Sequence, residues 1–246
     1  MKVLMLASFG LEIVECAGAL AKALAAGDEV HAAVLLSRKS SRPQISEAAK
    51  IIGIEDVTYL GAAIGEIEVT PTAKVPIVRL LRTVRPEVVI MQDPEHAQHD
   101  LDPDRRMIAL LYAESLAIAS RDWRIDECGG GDPLQVPTIF YMTPERPNCV
   151  VEISDVLGVK QQALDVLAQQ NSFSAQHWRA QAADTTLQKV APGWTPGDTD
   201  EELGRLGERQ IFLSLAVASG LGSHSGAVLG EPYRREGTFL LDRLSK

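Results

Sequence analysis

Apolar runs alternate with helix-spaced amphipathic stretches through the first half of the chain. After Lys2, residues Val3 to Ala7 are all apolar, the pattern of a strand covered on both faces. Glu12 to Ala26 is alanine-rich and is followed by Gly27, which predicts a helix with a glycine stop. Glu29 to Leu36 predicts a second strand, Ser46 to Ile52 a short helix stopped at Gly53, and Val57 to Leu60 a third strand. Ala73 to Val84 has helical spacing and must end before Pro86, because the residue preceding a proline is pushed out of the helical region. Glu87 to Met91 predicts a fourth strand, and Arg105 to Ser120 a long amphipathic helix. Such βαβα alternation implies an α/β, Rossmann-like fold. Its sheet is mainly parallel, with right-handed crossovers and helices on both faces.

The second half is less regular. Asp126 to Pro137 is rich in Gly and Pro and predicts an exposed loop. Thr138 to Met142 and Cys149 to Ile153 predict later strands. Val156 to Gln170 predicts a helix, preceded by Ser154 and Asp155, residue types that cap helix N-termini. Pro192 to Asp200 predicts another loop, and Glu201 to about Ser219 a further helix. No repeat, low-complexity tract or linker interrupts the chain. The expectation is one domain over residues 1–246, with 171–246 as a C-terminal extension.

Composition narrows the partners. The 246 residues are 46% apolar and 23% charged, ordinary for a globular protein, and the net charge is −9. That balance argues against nucleic acid and anionic membrane surfaces, both of which attract a basic face. Cys16, Cys128 and Cys149 form no CxxC pair, which points to reduced thiols and a cytoplasmic location. No signal-peptide pattern is visible, and no run approaches the roughly 18 apolar residues of a membrane span. No GxGxxG follows the first strand and no acidic residue ends the second, so a dinucleotide is disfavoured. No serine lies in a GxSxG elbow. A small-molecule ligand is the expected partner, and a homo-oligomer is compatible with the sequence.

Several ordered signatures carry a family resemblance. Ala19-Leu20-Ala21-Lys22 and Gly27-Asp28-Glu29-Val30-His31 are followed by Glu47-Ala48-Ala49-Lys50-Ile51-Ile52-Gly53-Ile54 and Tyr59-Leu60-Gly61. Arg85-Pro86-Glu87-Val88-Val89 precedes a histidine-containing loop. Val151-Glu152-Ile153-Ser154-Asp155-Val156, with Lys160 and Ala163, and Gly230-Glu231-Pro232-Tyr233-Arg234-Arg235-Glu236 come later. In order and spacing this set resembles the PIG-L/LmbE family of zinc-dependent de-N-acetylases. The resemblance implies a site at the C-terminal strand ends. There, two His and one Asp would hold zinc, a neighbouring Asp would take a proton from bound water, and another His would stabilise the oxyanion.

The family frame survives where its chemistry does not. Members carry Ala-His-Pro-Asp-Asp-Glu after the first strand; this chain has Ala7-Ser8-Phe9-Gly10-Leu11-Glu12. Ser8 stands for the metal-binding His, Gly10 for the catalytic Asp and Leu11 for the ligand Asp. Leu has no lone pair, Gly no base, and Ser is a poor zinc ligand. Glu12 is retained, and either contacts ligand or favours the helix N-terminus.

The family His-Pro-Asp-His loop falls within 93–105, in one of two registers. Asp102-Pro103-Asp104-Arg105 aligned by the following helix makes the metal His an arginine, Arg105; His96-Ala97-Gln98-His99 aligned by histidines keeps both. The helix register is preferred, because Arg106-Met107-Ile108 continues as the family helix does.

Candidate catalytic residues are therefore Asp93, His96 and His99, histidine being able to act as a general acid or base near neutrality without a metal. Candidate substrate contacts are Ser8, Glu12, Arg38, Arg42, Asp102, Asp104 and Arg105. No cofactor is expected at the substituted positions, with zinc on displaced ligands as the alternative.

Three functions compete. One is a repurposed or inactive relative that binds a sugar-like or polar small molecule. The second is a metal-dependent amidase, cleaving the C–N bond of an N-acylated amino sugar with ligands from the 93–105 loop. The third is a non-catalytic subunit or regulator.

Overall fold

The computed structural model describes residues 1–238. Seven strands form one sheet in the order β3-β2-β1-β4-β5-β7-β6. They are β1 Lys2–Ala7, β2 Glu29–Val34, β3 Val57–Tyr59, β4 Val88–Gln92, β5 Thr138–Met142, β6 Cys149–Glu152 and β7 Gly230–Arg235. Strands β1 to β5 run parallel, with Met5 opposite Ala32 on one side and Ile90 on the other. β7 is antiparallel to both of its neighbours, β5 and β6. From β1 the chain builds outward to β2 and β3, then returns to place β4 on the opposite side. That reversal opens a crevice at the C-terminal ends of β1 and β4, the usual place for a ligand in an open α/β sheet.

One face of the sheet carries α1 Leu11–Glu15, α2 Ala17–Ala25, α3 Arg42–Ile52 and α7 Leu157–Asp165; the other carries α4 Pro71–Val84 and α6 Pro103–Ala119. Strand alternation explains why β1 is apolar throughout. Val3, Met5 and Ala7 join the first core with Ile13, Leu20 and Val34, while Leu4 and Leu6 join the second with Ile77, Leu81 and Ile108. Both sets are buried, so neither face tolerates a polar residue. A third, smaller core links α8 Ala168–Arg179, α9 Asp184–Val190 and α10 Asp200–Ser219 through Ala175, Leu187, Trp194 and Leu203.

The sequence expectations hold for the parallel half and shift elsewhere. The helix expected over 12–26 is two, α1 and α2, broken at Cys16. The one expected over 156–170 ends at Asp165, and α8 begins at Ala168. Helix α5 Pro94–His99 occupies what the sequence suggested was a polar loop, capped by the Asp93 carboxylate accepting from Glu95 N at 2.9 Å. The expected C-terminal extension returns to the sheet, since β7 lies between β5 and β6.

Candidate binding cleft at the strand ends

The loop after β1 is held from both sides. Tyr112 on α6 donates its hydroxyl to Ala7 O at 2.8 Å, fixing the end of the strand. Gly10 then adopts φ 109° as the N-cap of α1, a conformation that side-chain-bearing residues rarely adopt. Glu12 is buried, and its carboxylate turns back to accept from Phe9 N at 3.1 Å and Gly10 N at 2.8 Å. The retained glutamate thus closes the turn, an anion placed at the start of a helix.

Helix α6 brings a cation to this turn. Asp102 caps the helix by accepting from Asp104 N at 2.9 Å, and the buried Asp104 carboxylate accepts from Gly65 N at 2.8 Å. In the first turn, Arg105 places Nη1 4.0 Å from Glu12 and Nε 3.5 Å from Asp100. Its guanidinium sits 5.2 Å from the centre of the Phe9 ring. Arg105 therefore faces the β1 loop, while His96 and His99 belong to α5.

Between these elements lies a cleft of about 430 Å³. Leu11, Leu36 and Ile45 give it an apolar lining, and Arg38, Asp102 and Arg105 add charge. Ile64, Leu167 and Phe173 complete the walls. Gln169 at the start of α8 stitches the far wall to the loop after β2: its side chain accepts from Ser41 Oγ at 3.1 Å, and its backbone N donates to Gln44 Oε1 at 3.0 Å. The exposed Arg38 guanidinium forms no ion pair among the described residues.

Of the sequence candidates, this cleft brings together Arg38, Asp102 and Arg105, but not the rest. Ser8 is buried beneath the loop. Arg42 is turned away, donating Nε to Ser37 Oγ at 3.1 Å and stacking 4.8 Å over the Tyr59 ring. Asp93 is fully buried and receives Nε and Nη2 of Arg234 at 2.8 and 2.7 Å. Burial works to raise its pKa, but the Arg234 and Glu95 N–H hydrogen bonds outweigh it and hold the carboxyl below its ordinary value. His96 pairs through Nδ1 with Glu145 at 2.7 Å and lines a different cleft; His99 is exposed near the end of α5. Phe9, Ile64, Leu167, Gln169 and Phe173 were not anticipated. Their positions depend on long-range packing of loops that carry no local motif.

Three positions that the resemblance assigns to zinc, taking the helix register for the third, carry other chemistry here. Ser8 is buried, Leu11 offers only hydrocarbon, and the third position carries a permanent cation. Among the described residues no three His, Cys, Asp or Glu side chains are grouped as metal ligands.

No family model matches the chain. A diacetylchitobiose deacetylase of Thermococcus kodakarensis is 29% identical over 133 residues, 53% of this chain. The match spans about half (49%) of that relative's length. Among solved structures, N,N'-diacetylchitobiose deacetylase of Pyrococcus horikoshii superimposes with a TM-score of 0.70 at 20% identity, covering 95% of this chain and 83% of that one. The conserved protein TT1542 of Thermus thermophilus gives 0.71 at 19%, covering 99% and 98%. GalB, the 4-carboxy-2-hydroxymuconate hydratase of Pseudomonas putida, gives 0.70 at 16%, covering 99% of each chain. In fold and in the order of its sequence signatures, this chain is PIG-L/LmbE-like.

Proposed function

We propose that this PIG-L/LmbE-like protein binds a sugar-like or other polar small molecule in the strand-end cleft, without zinc at the loop after β1. The observation that carries this reading is Arg105. Its guanidinium lies 4.0 Å from the retained Glu12 and over Phe9, where the resemblance puts a metal ligand. A fixed organic cation there favours an anionic or hydrogen-bond-accepting group on the ligand, and repels a dication. Leu11, Leu36 and Ile45 suit the apolar face of a sugar ring, and Arg38 supplies a second donor at the mouth. The protein acts in the cytoplasm on this reading.

Elemental analysis and a thermal-shift series with N-acetylglucosamine, glucuronate and glucose 6-phosphate test it together. The expected result is less than one zinc in ten chains, no deacetylation of N-acetylglucosamine or diacetylchitobiose, and stabilisation by the two anionic sugars that Arg105→Ala removes. About one zinc per chain together with deacetylation would overturn it.

That outcome would favour a second reading, a metal-dependent de-N-acetylase, for which the sequence match to a diacetylchitobiose deacetylase speaks. Ligands recruited from 93–105 would have to break the Asp93–Arg234 and His96–Glu145 pairs first.

A further inference from the structure

A second cleft, of about 500 Å³, lies among α1, α7, α10, β7 and the segment after β5. Met142, Pro144, Phe212 and Leu215 give it apolar walls, and its charged groups are Glu15, His96, Glu145, Lys160 and Glu231. Most of these are already satisfied. Lys160 is buried, and its Nζ donates to Glu231 at 2.6 Å and to the backbone oxygen of Glu15 at 2.5 Å. Glu231 also accepts from Gly18 N and Ala19 N, both at 2.8 Å, and His96 is paired with Glu145.

Glu15 is the exception. The residue is half-buried and lines this cleft, and its carboxyl forms no hydrogen bond or ion pair among the described residues. Burial, reinforced by the neighbouring Glu12 charge, pushes it up to about 7; Arg105 and Lys160 oppose the rise and Glu208 adds to it. An unpartnered acid in an apolar-walled cavity, with the nearest lysine already committed, is matched by a ligand that brings its own positive charge and an apolar body.

We propose that the second cleft binds a small organic amine, its ammonium group on the Glu15 carboxyl and its hydrocarbon against Met142, Phe212 and Leu215. The site shares no lining residue with the strand-end cleft and stands whether or not the reading of that cleft is right. Below about pH 7 the amine must displace a proton from Glu15, so binding weakens as pH falls.

Titration calorimetry on the full chain with 2-phenylethylamine tests this, against phenylacetate and 2-phenylethanol of the same shape. The amine should bind in preference to both, with affinity falling toward tenfold per pH unit below pH 7. Glu15→Gln should lose at least tenfold, and Leu215→Gln, a change at an exposed rim position, severalfold. Equal binding of the alcohol or the acid overturns the proposal, as does a wild-type affinity unchanged between pH 5.5 and 8. Amine binding unaltered in both variants also overturns it. Should Glu15→Gln fail to fold, the wild-type pH profile decides.

Discussion

Arg234 donates to both oxygens of Asp93 across 141 residues of sequence, and only the arginine end of the pair reaches solvent, at 24% exposure against 0%. A two-point guanidinium–carboxylate contact of this kind is strong in a buried setting, and removal of one partner leaves the other uncompensated. Asp93→Asn should therefore cost about 3 kcal/mol, at the lower end for a buried pair because Arg234 can rehydrate. The pH dependence has a definite sign. The Asp93 carboxyl is held below its ordinary value in the folded chain, so its contribution is complete above the unfolded value of about 3.9 and is lost as pH falls through the folded one. Urea unfolding at pH 7 and pH 2.5 checks both points. The gap between wild type and variant should be wide at pH 7 and narrow at pH 2.5; equal gaps would show that the charge of Asp93 is not what holds β7 to the end of β4.

At the scale of elements, the start of α1 limits which side chains the loop after β1 can carry. Gly10 occupies φ 109°, and a Cβ added there would stand 2.7 Å from Ile45 Cδ1. An aspartate at position 10 would suffer both the backbone strain and the clash. Gly10→Asp should lower stability by about 1–3 kcal/mol, read as a fall in Tm. The triple change Ser8→His, Gly10→Asp, Leu11→Asp should gain neither zinc nor deacetylase activity, since Arg105 remains. Micromolar zinc binding by the triple variant would show that the loop keeps the family geometry after all.

Element by element, β1, β2 and β4 were legible because their apolar runs are dictated by burial on both sheet faces. Arg38, Asp102 and Arg105 were legible as cleft residues because segments at strand ends line ligand sites. Helix α5 was not, since Pro94-Glu95-His96-Ala97-Gln98-His99 buries only Ala97 and has no apolar period. The ties of Asp93 to Arg234 and of His96 to Glu145 were not legible, because these partners are set by tertiary structure that no local spacing encodes.

For the whole molecule, the late signatures that marked the family turn out to be one clasp. Lys160 lies on α7 and Glu231 on β7; their buried pair also takes in the backbone of Glu15 on α1 and the first turn of α2. Gly18 makes the approach possible, because a Cβ there would stand 2.7 Å from the Glu231 carboxylate. Alternation marked β1 to β4 as strands of a mainly parallel sheet, whereas the return of β7 between β5 and β6 had no local signal and is accompanied by this clasp and by Asp93–Arg234, contacts made only once the chain has folded. Glu231 accepts from Gly18 N, Ala19 N, Lys160 Nζ and Tyr233 Oη, whereas Lys160 serves two acceptors. Glu231→Ala should thus destabilise more than Lys160→Met, which itself should cost about 3–5 kcal/mol as a broken buried pair. Because both side chains act in one network, the double variant should fall short of the sum of the singles by about 1–3 kcal/mol. Urea unfolding of the three variants measures this shortfall. A strictly additive double would mean that Lys160 and Glu231 hold separate parts of the fold, and that β7 is kept in the sheet by its strand pairing rather than by the clasp.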